Sequence, residues 1–161
     1  MRLALVAIAA LLLCGCRDDV TIAPVIDESN PIEAAARDAN LVADAGSTAP
    51  TGLFERRHAA GSDSICFLPD GDDYRFALRA SFGTTLTCEG SGSARHDGDQ
   101  IGFDFAGGGC AFTATYDGNM VRLPGTVPEG CSAYCGPRAS MSGVAVERVG
   151  WSEADARRQC G

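Results

Sequence analysis

An alternation of apolar and polar residues, with a period of two, runs through most of the chain after residue 50. Between residues 74 and 82 every second residue is apolar: Tyr74, Phe76, Leu78, Ala80 and Phe82. The alternation returns over 86–92, 101–105 and 110–116. Successive side chains of a strand point to opposite faces of a sheet, so the pattern predicts strands with one buried face and one face in water.

Short turn signals separate these runs, and they supply the positive φ that tight hairpins need: Asp70-Gly71, Gly83-Thr84, Asp97-Gly98, Gly107-Gly108-Gly109 and Asp117-Gly118. About eight strands follow from this pattern. They are expected near 53–58, 64–68, 74–82, 85–94, 100–106, 110–116, 119–123 and 139–148. Consecutive hairpins imply an antiparallel meander, and closing it into a small barrel removes its exposed edges. The predicted fold class is all-β, a disulfide-braced barrel over 51–161. Gly90 and Gly92 suit a crowded part of that barrel or a bulge.

The pattern is interrupted twice towards the end of the chain. Residues 124–137 contain two cysteines and no alternation, which predicts a long, disulfide-braced loop. Ser152 followed by Asp155 has the spacing of a capping box and predicts a short helix over 152–160.

The start of the chain resembles the signal of a bacterial lipoprotein. Arg2 precedes an apolar run that ends at Leu13, which is too short to span a membrane. The segment Leu13-Cys14-Gly15-Cys16 resembles the lipobox, with an aliphatic residue three positions before a cysteine and a small residue directly before it. The resemblance implies a signal peptide over 1–15, cleavage before Cys16, and acyl chains on Cys16 that hold the protein to a membrane.

The same resemblance predicts the location. The residue after Cys16 is Arg17 rather than aspartate, which by the sorting rule of such lipoproteins implies the outer membrane, with the protein facing the periplasm. Residues 16–50 are then a lipidated tether, acidic and free of aromatic residues. A marginal helix over 31–45 is possible within it, because Asn30 suits an N-cap and Pro31 the first helical position.

Cysteine parity agrees with this cleavage site. Cys14 leaves with the signal and Cys16 is acylated, so six cysteines remain to form three disulfides in the oxidising periplasm: Cys66, Cys88, Cys110, Cys131, Cys135 and Cys160. Six cysteines allow fifteen pairings, and the sequence does not choose among them. The arrangement predicted here is Cys66–Cys88, Cys110–Cys131 and Cys135–Cys160. The first of these pairs requires Cys66 to lie where its strand ends or bends, because Cα atoms of a disulfide lie within about 7 Å.

Composition excludes several classes of function. The net charge is −8 and all thirteen basic residues are arginine. A nucleic-acid-binding protein would carry a clustered basic surface, so no nucleic-acid partner is expected. Without lysine, Schiff-base chemistry and phosphate-loop lysines are also excluded.

Site chemistry is equally sparse in the sequence. The acids of 70–73 lack the spaced oxygens of a calcium loop, and His58 and His96 are the only histidines, so no metal and no cofactor are expected. No Gly-x-Ser-x-Gly motif is complete, although Asp99 and Asp104 could form an acid–base pair. No catalytic residues are therefore assigned.

The predicted architecture is similar to that of small lipocalin-like envelope proteins, which include barrel-type inhibitors of proteases and of lysozyme. The similarity is one of architecture. A rigid, disulfide-braced barrel with exposed loops suits a non-enzymatic binding or inhibitory module, which is expected to be a monomer with a periplasmic protein partner. The loop over 124–137 with Tyr134 is the predicted partner surface. Trp151 is expected either to pack on the terminal helix or to anchor an interface at one end of the barrel. A structural or stress-related envelope protein with no tight partner is the alternative, followed by a hydrolytic enzyme.

Overall fold

The computed structural model describes residues 31–39, 45–83 and 85–160. Within them, antiparallel strands pair in chain order and close into a barrel, with the last strand beside the first. The strands are β1 (Gly52–His58), β2 (Gly61–Asp70), β3 (Asp73–Ser81), β4 (Thr87–Asp97), β5 (Gln100–Phe105), β6 (Ala111–Tyr116), β7 (Met120–Arg122) and β8 (Ala145–Gly150). The closed, eight-strand antiparallel barrel predicted from the alternation is confirmed.

Helical structure in the described residues is limited to α1 (Pro31–Asp38), a 3₁₀ helix (Glu129–Tyr134) and α2 (Glu153–Cys160). The first begins at Pro31 as predicted but is shorter than 31–45, and part of the remainder of that range, 40–44, lies outside the described residues. The predicted capping box is present at α2: the Asp155 N–H donates to the Ser152 hydroxyl, and the Ser152 N–H to the Asp155 carboxylate. None of the helices in the described part of the chain is long and apolar enough to cross a membrane.

Inward-facing side chains fill the barrel. The phenyl ring of Phe76 packs edge to face against Phe103 and Phe105, with centroid separations of 4.8 and 4.9 Å. Phe54 and Phe67 extend this aromatic core, and all five are at most 2% exposed. Burying each such side chain stabilises the fold by about 1.5–3 kcal/mol, so the aromatic core is the main driving force for folding.

Gly90 and Gly92 of β4 have close neighbours from the adjoining strand β5. A Cβ atom at Gly90 would lie 2.5 Å from the Phe105 ring, and one at Gly92 would collide with the carbonyl oxygen of Asp104. Only glycine leaves room for these neighbours, so the expectation of a crowded segment is confirmed.

The two ends of the barrel are covered by different segments. Residues 45–51, the tether root, lie across the end where β1 begins, and Pro50 is fully buried there. We call this the tether end. At the opposite end, the loop end, residues 123–144 connect β7 to β8. Burial thus extends to Pro50, one residue before the predicted start of the domain at residue 51.

The predicted last strand, 139–148, is displaced. β8 is Ala145–Gly150, and residues 139–144 belong to the loop. Met141 is fully buried, and the Val144 N–H donates to its carbonyl, which turns the chain before the strand starts. Tertiary packing of Met141 thus overrides the alternation on which the prediction rested.

All six cysteines expected to be oxidised form disulfides, but only one predicted pair is correct. Cys110–Cys131 is confirmed, whereas Cys66 pairs with Cys160 and Cys88 with Cys135. Cys66 points outward from β2 into a small apolar cluster beneath α2, so the cysteine of that helix is its partner. Cys88 and Cys135 form a direct antiparallel bridge between β4 and the loop, with Cα atoms 3.9 Å apart.

Removing the disulfides one at a time should destabilise the domain according to loop length. Replacing Cys66 and Cys160 by alanine opens a covalent loop that spans 94 positions, whereas replacing Cys110 and Cys131 opens a loop that spans 21. Chain entropy predicts losses of about 4.5 and about 3 kcal/mol in the free energy of unfolding, measurable by urea denaturation. Peptide mapping of the unreduced protein is the control, and a peptide that joins Cys66 to Cys88 would contradict the structure.

Candidate functional site

Arg148 is the centre of a hydrogen-bond cluster at the tether end. Its Nε donates to the carbonyl oxygen of Gly118 over 3.0 Å. Its Nη1 donates to Thr51 over 2.7 Å and its Nη2 to Ala49 over 3.1 Å, both to carbonyl oxygens of the tether root. A further short hydrogen bond joins Nη2 to the Tyr116 hydroxyl. One guanidinium therefore ties β8 to the β6–β7 turn and to the tether root.

Aromatic rings complete the surroundings of this guanidinium. Its central carbon lies 4.5 Å from the centroid of Phe54 and 4.3 Å from that of Trp151. Such cation–π contacts add about 0.5–2 kcal/mol each, depending on exposure. Trp151 thus packs on Arg148 while 62% of it stays exposed. Its use as an interface anchor remains a prediction.

Two more side chains hold the tether root through its carbonyl groups. The Tyr116 hydroxyl lies 3.1 Å from the carbonyl oxygen of Thr48 and 3.3 Å from that of Ala49. His96 Nε2 lies 3.0 Å from the carbonyl oxygen of Ala45. Burial raises the pKa of Tyr116, and burial lowers the pKa of Arg148. The tether root is thus bound through its main-chain carbonyl groups by side chains of three strands: Arg148 of β8, Tyr116 of β6 and His96 of β4.

Tyr134, the predicted partner-binding residue, lies at the loop end. Its hydroxyl donates to the carbonyl oxygen of Ala106 over 2.7 Å, and its ring centroid is 4.8 Å from that of Phe105. The ring also reaches the space above Gly90, where a Cβ atom would lie 3.1 Å from it. Tyr134 is half-buried and closes the wall of the barrel between β4 and the end of β5. Its part in partner binding remains a prediction.

A buried carboxylate that the sequence interpretation missed lies near the β1–β2 hairpin. Asp63 is 1% exposed and accepts hydrogen bonds from Arg56 Nη2 over 3.0 Å and from the Ser81 N–H over 3.0 Å. His58 Nε2 lies 3.1 Å from the same carboxylate, and His58 Nδ1 accepts from the Ala60 N–H. The sequence contained a signal for this burial, because Asp63 belongs to the same every-second-residue set of β2 as the inward-facing Ile65 and Phe67. Both ring nitrogens of His58 are thus engaged within the fold.

The other side chains considered as candidate sites lie apart from one another in the fold. In the described residues, no group of three or more His, Cys, Asp or Glu side chains is arranged to hold a metal ion. Asp73 pairs with Arg95 over 3.0 Å, and this hydrogen bond lowers the pKa of Asp73. Asp70 approaches Arg75 at 3.8 Å. Asp104 borders an open groove of about 660 Å³ on the outer face of β3, β4 and β5.

Comparison with known proteins adds no relative. No protein-family model matches the chain, and neither a curated protein nor a solved structure does.

Replacing Arg148 by alanine should release the tether root. The change removes the charged donor for carbonyls of Ala49, Thr51 and Gly118, so we expect a loss of about 3 kcal/mol in the free energy of unfolding and faster proteolysis within 45–51. Arg148→Lys should not restore stability, because one ammonium group cannot reach carbonyls in three directions. Arg57→Ala, at a side chain 85% exposed, is the matched control and should change stability by less than about 0.5 kcal/mol. Equal effects of the two alanine variants would contradict this assignment.

Stability should also fall in alkaline solution through Tyr116. Its pKa is raised in the folded state, so the unfolded chain loses this proton first and folding weakens as the pH rises above about 10. Ultraviolet difference spectra should show a late tyrosine transition in the folded protein, at a higher pH than in the unfolded chain. Tyr116→Phe should remove that late transition, and its persistence in the variant would assign it to another tyrosine.

Proposed function

We propose that this protein is a lipid-anchored envelope protein whose barrel acts as a non-enzymatic binding or inhibitory module for a periplasmic protein. Acyl chains on Cys16 would hold it to the outer membrane, and residues 17–44 would separate the lipid from the domain. The binding surface in this proposal is the loop end, formed by residues 123–144.

One observation carries the proposal: the tether root and the long loop lie at opposite ends of the barrel. Odd-numbered strands run from the tether end to the loop end, and the even-numbered strands return. A barrel attached to a membrane through residues 45–51 would therefore present residues 123–144 on its far side. That is the position in which a protein partner meets least obstruction from the membrane.

The loop end is also braced in the way that a binding surface requires. Two disulfides fix it, Cys88–Cys135 to the start of β4 and Cys110–Cys131 to the start of β6. Tyr134 and the buried Met141 add non-covalent contacts. A loop already fixed in one conformation loses little entropy on binding, which favours affinity.

The filled interior supports a partner at the surface over a small ligand inside the barrel. Phe54, Phe67, Phe76, Phe103 and Phe105 occupy the space in which a barrel of this size would otherwise hold a ligand. The two ring nitrogens of His58, both engaged in structural contacts, support a non-enzymatic role.

The proposal is tested with the full chain carrying Cys16→Ser. This variant should leave the membrane fraction and remain in the soluble periplasmic fraction, and persistent acylation would refute the anchor. The soluble, oxidised protein is then immobilised and exposed to envelope extract. One protein retained in stoichiometric amount through salt washes is the expected result. Retention of nothing would favour the alternative, a structural envelope protein without a tight partner.

A further inference from the structure

The turn that follows the second loop disulfide has an unusual backbone. The Ala139 N–H donates to the carbonyl oxygen of Gly136 over 3.0 Å, with Pro137 and Arg138 between them. Arg138 has a φ of 68°, and it is the only residue other than glycine with positive φ in the described part of the chain. Proline followed by a residue of positive φ is the arrangement of a type II turn, which favours glycine or asparagine at the position after the proline. An arginine therefore stands where local energetics favours glycine.

This turn is held firmly on both sides. Cys135 precedes it and is bonded to Cys88, and the Gly136 N–H donates to the carbonyl oxygen of Thr87 over 2.8 Å. Met141 follows it and is fully buried. The turn consequently lies at the loop end, and its conformation is determined by the surrounding fold.

Arg138 also differs from the other described arginines in its contacts. Its side chain is exposed and has no hydrogen bond or ion pair in the described part of the chain. The other arginines with described side chains each contact an acid, a sulfur atom or carbonyl groups: Arg56, Arg57, Arg75, Arg79, Arg95, Arg122, Arg148, Arg157 and Arg158. Among the arginines whose side chains are described, Arg138 is thus the exception in having no such contact.

We infer that Arg138 is an anchor that inserts into a carboxylate-bearing site on the partner protein. A planar guanidinium binds carboxylates with two parallel hydrogen bonds, and arginine is enriched among the residues that dominate binding energy. A residue in an unfavourable conformation at a rigid, exposed position indicates function more than stability. This inference rests on the proposed function, and it specifies the contact through which the loop end binds.

The absence of lysine from the chain permits a direct test. Arg138→Lys places a single side-chain amine on the protein, and a carbodiimide joins that amine only to a carboxylate in contact with it. The full-length, membrane-anchored chain is treated in envelope preparations as wild type, as Arg138→Lys and as Arg57→Lys. Arg57 is the matched control because it is exposed and lies on the barrel wall. We expect a covalent adduct with one protein in Arg138→Lys that is absent from the other two.

A second variant separates binding from folding. Arg138→Glu should lower the affinity for the captured protein at least about tenfold, because the reversed charge repels the carboxylate. Arg138→Gly should lower affinity as well while leaving thermal stability unchanged or higher, since glycine suits positive φ. Capture that is unaffected by both, together with no adduct specific to position 138, would overturn the inference and leave the proposed function standing. Failure of the wild-type protein to capture any protein, together with failure of Arg138→Lys to couple to one, would remove both.

Discussion

The hydrophobic interior of an eight-strand barrel is open to water at both ends unless other parts of the chain cover it. At the tether end the cover is residues 45–51, whose carbonyl groups would be left without partners against an apolar core. Arg148 resolves this by donating to two of these carbonyls and to Gly118. That guanidinium therefore binds the residues on both sides of the buried Pro50, and it does so from β8, the strand that closes the barrel by pairing with β1.

The loop end is closed by covalent bonds instead. Cys88–Cys135 and Cys110–Cys131 attach a long connection that contains little regular structure. Tyr134 then fills the wall where β4 and β5 separate, in the space left by Gly90. Because these bonds fix the connection, its exposed turns can depart from locally favoured conformations. Arg138 is the residue at which this occurs, and it is also the arginine without a partner in the described residues.

Much of the fold could be predicted from the sequence because its signals are local. Alternation and glycine turns predicted the strands and the closed barrel, and cysteine parity predicted which six cysteines are bonded. Their pairing did not follow from local signals, and Cys110–Cys131 is the one predicted pair that is correct. Asp63 could have been recognised from its inward position in β2. Cys66–Cys160 could not, because it requires α2 to lie on the outer face of β2, and no local pattern specifies where a short helix docks.

The sequence by itself determined the period-two pattern, the turn positions, the set of six bonded cysteines and the capping box of α2. Each of these depends on residues within a few positions of one another or on composition. Only the tertiary structure decided that Arg148 binds Ala49 and Thr51, nearly one hundred positions away, and that Tyr134 is a wall residue. Contacts between such distant segments arise from closure of the barrel, which brings its first and last strands side by side.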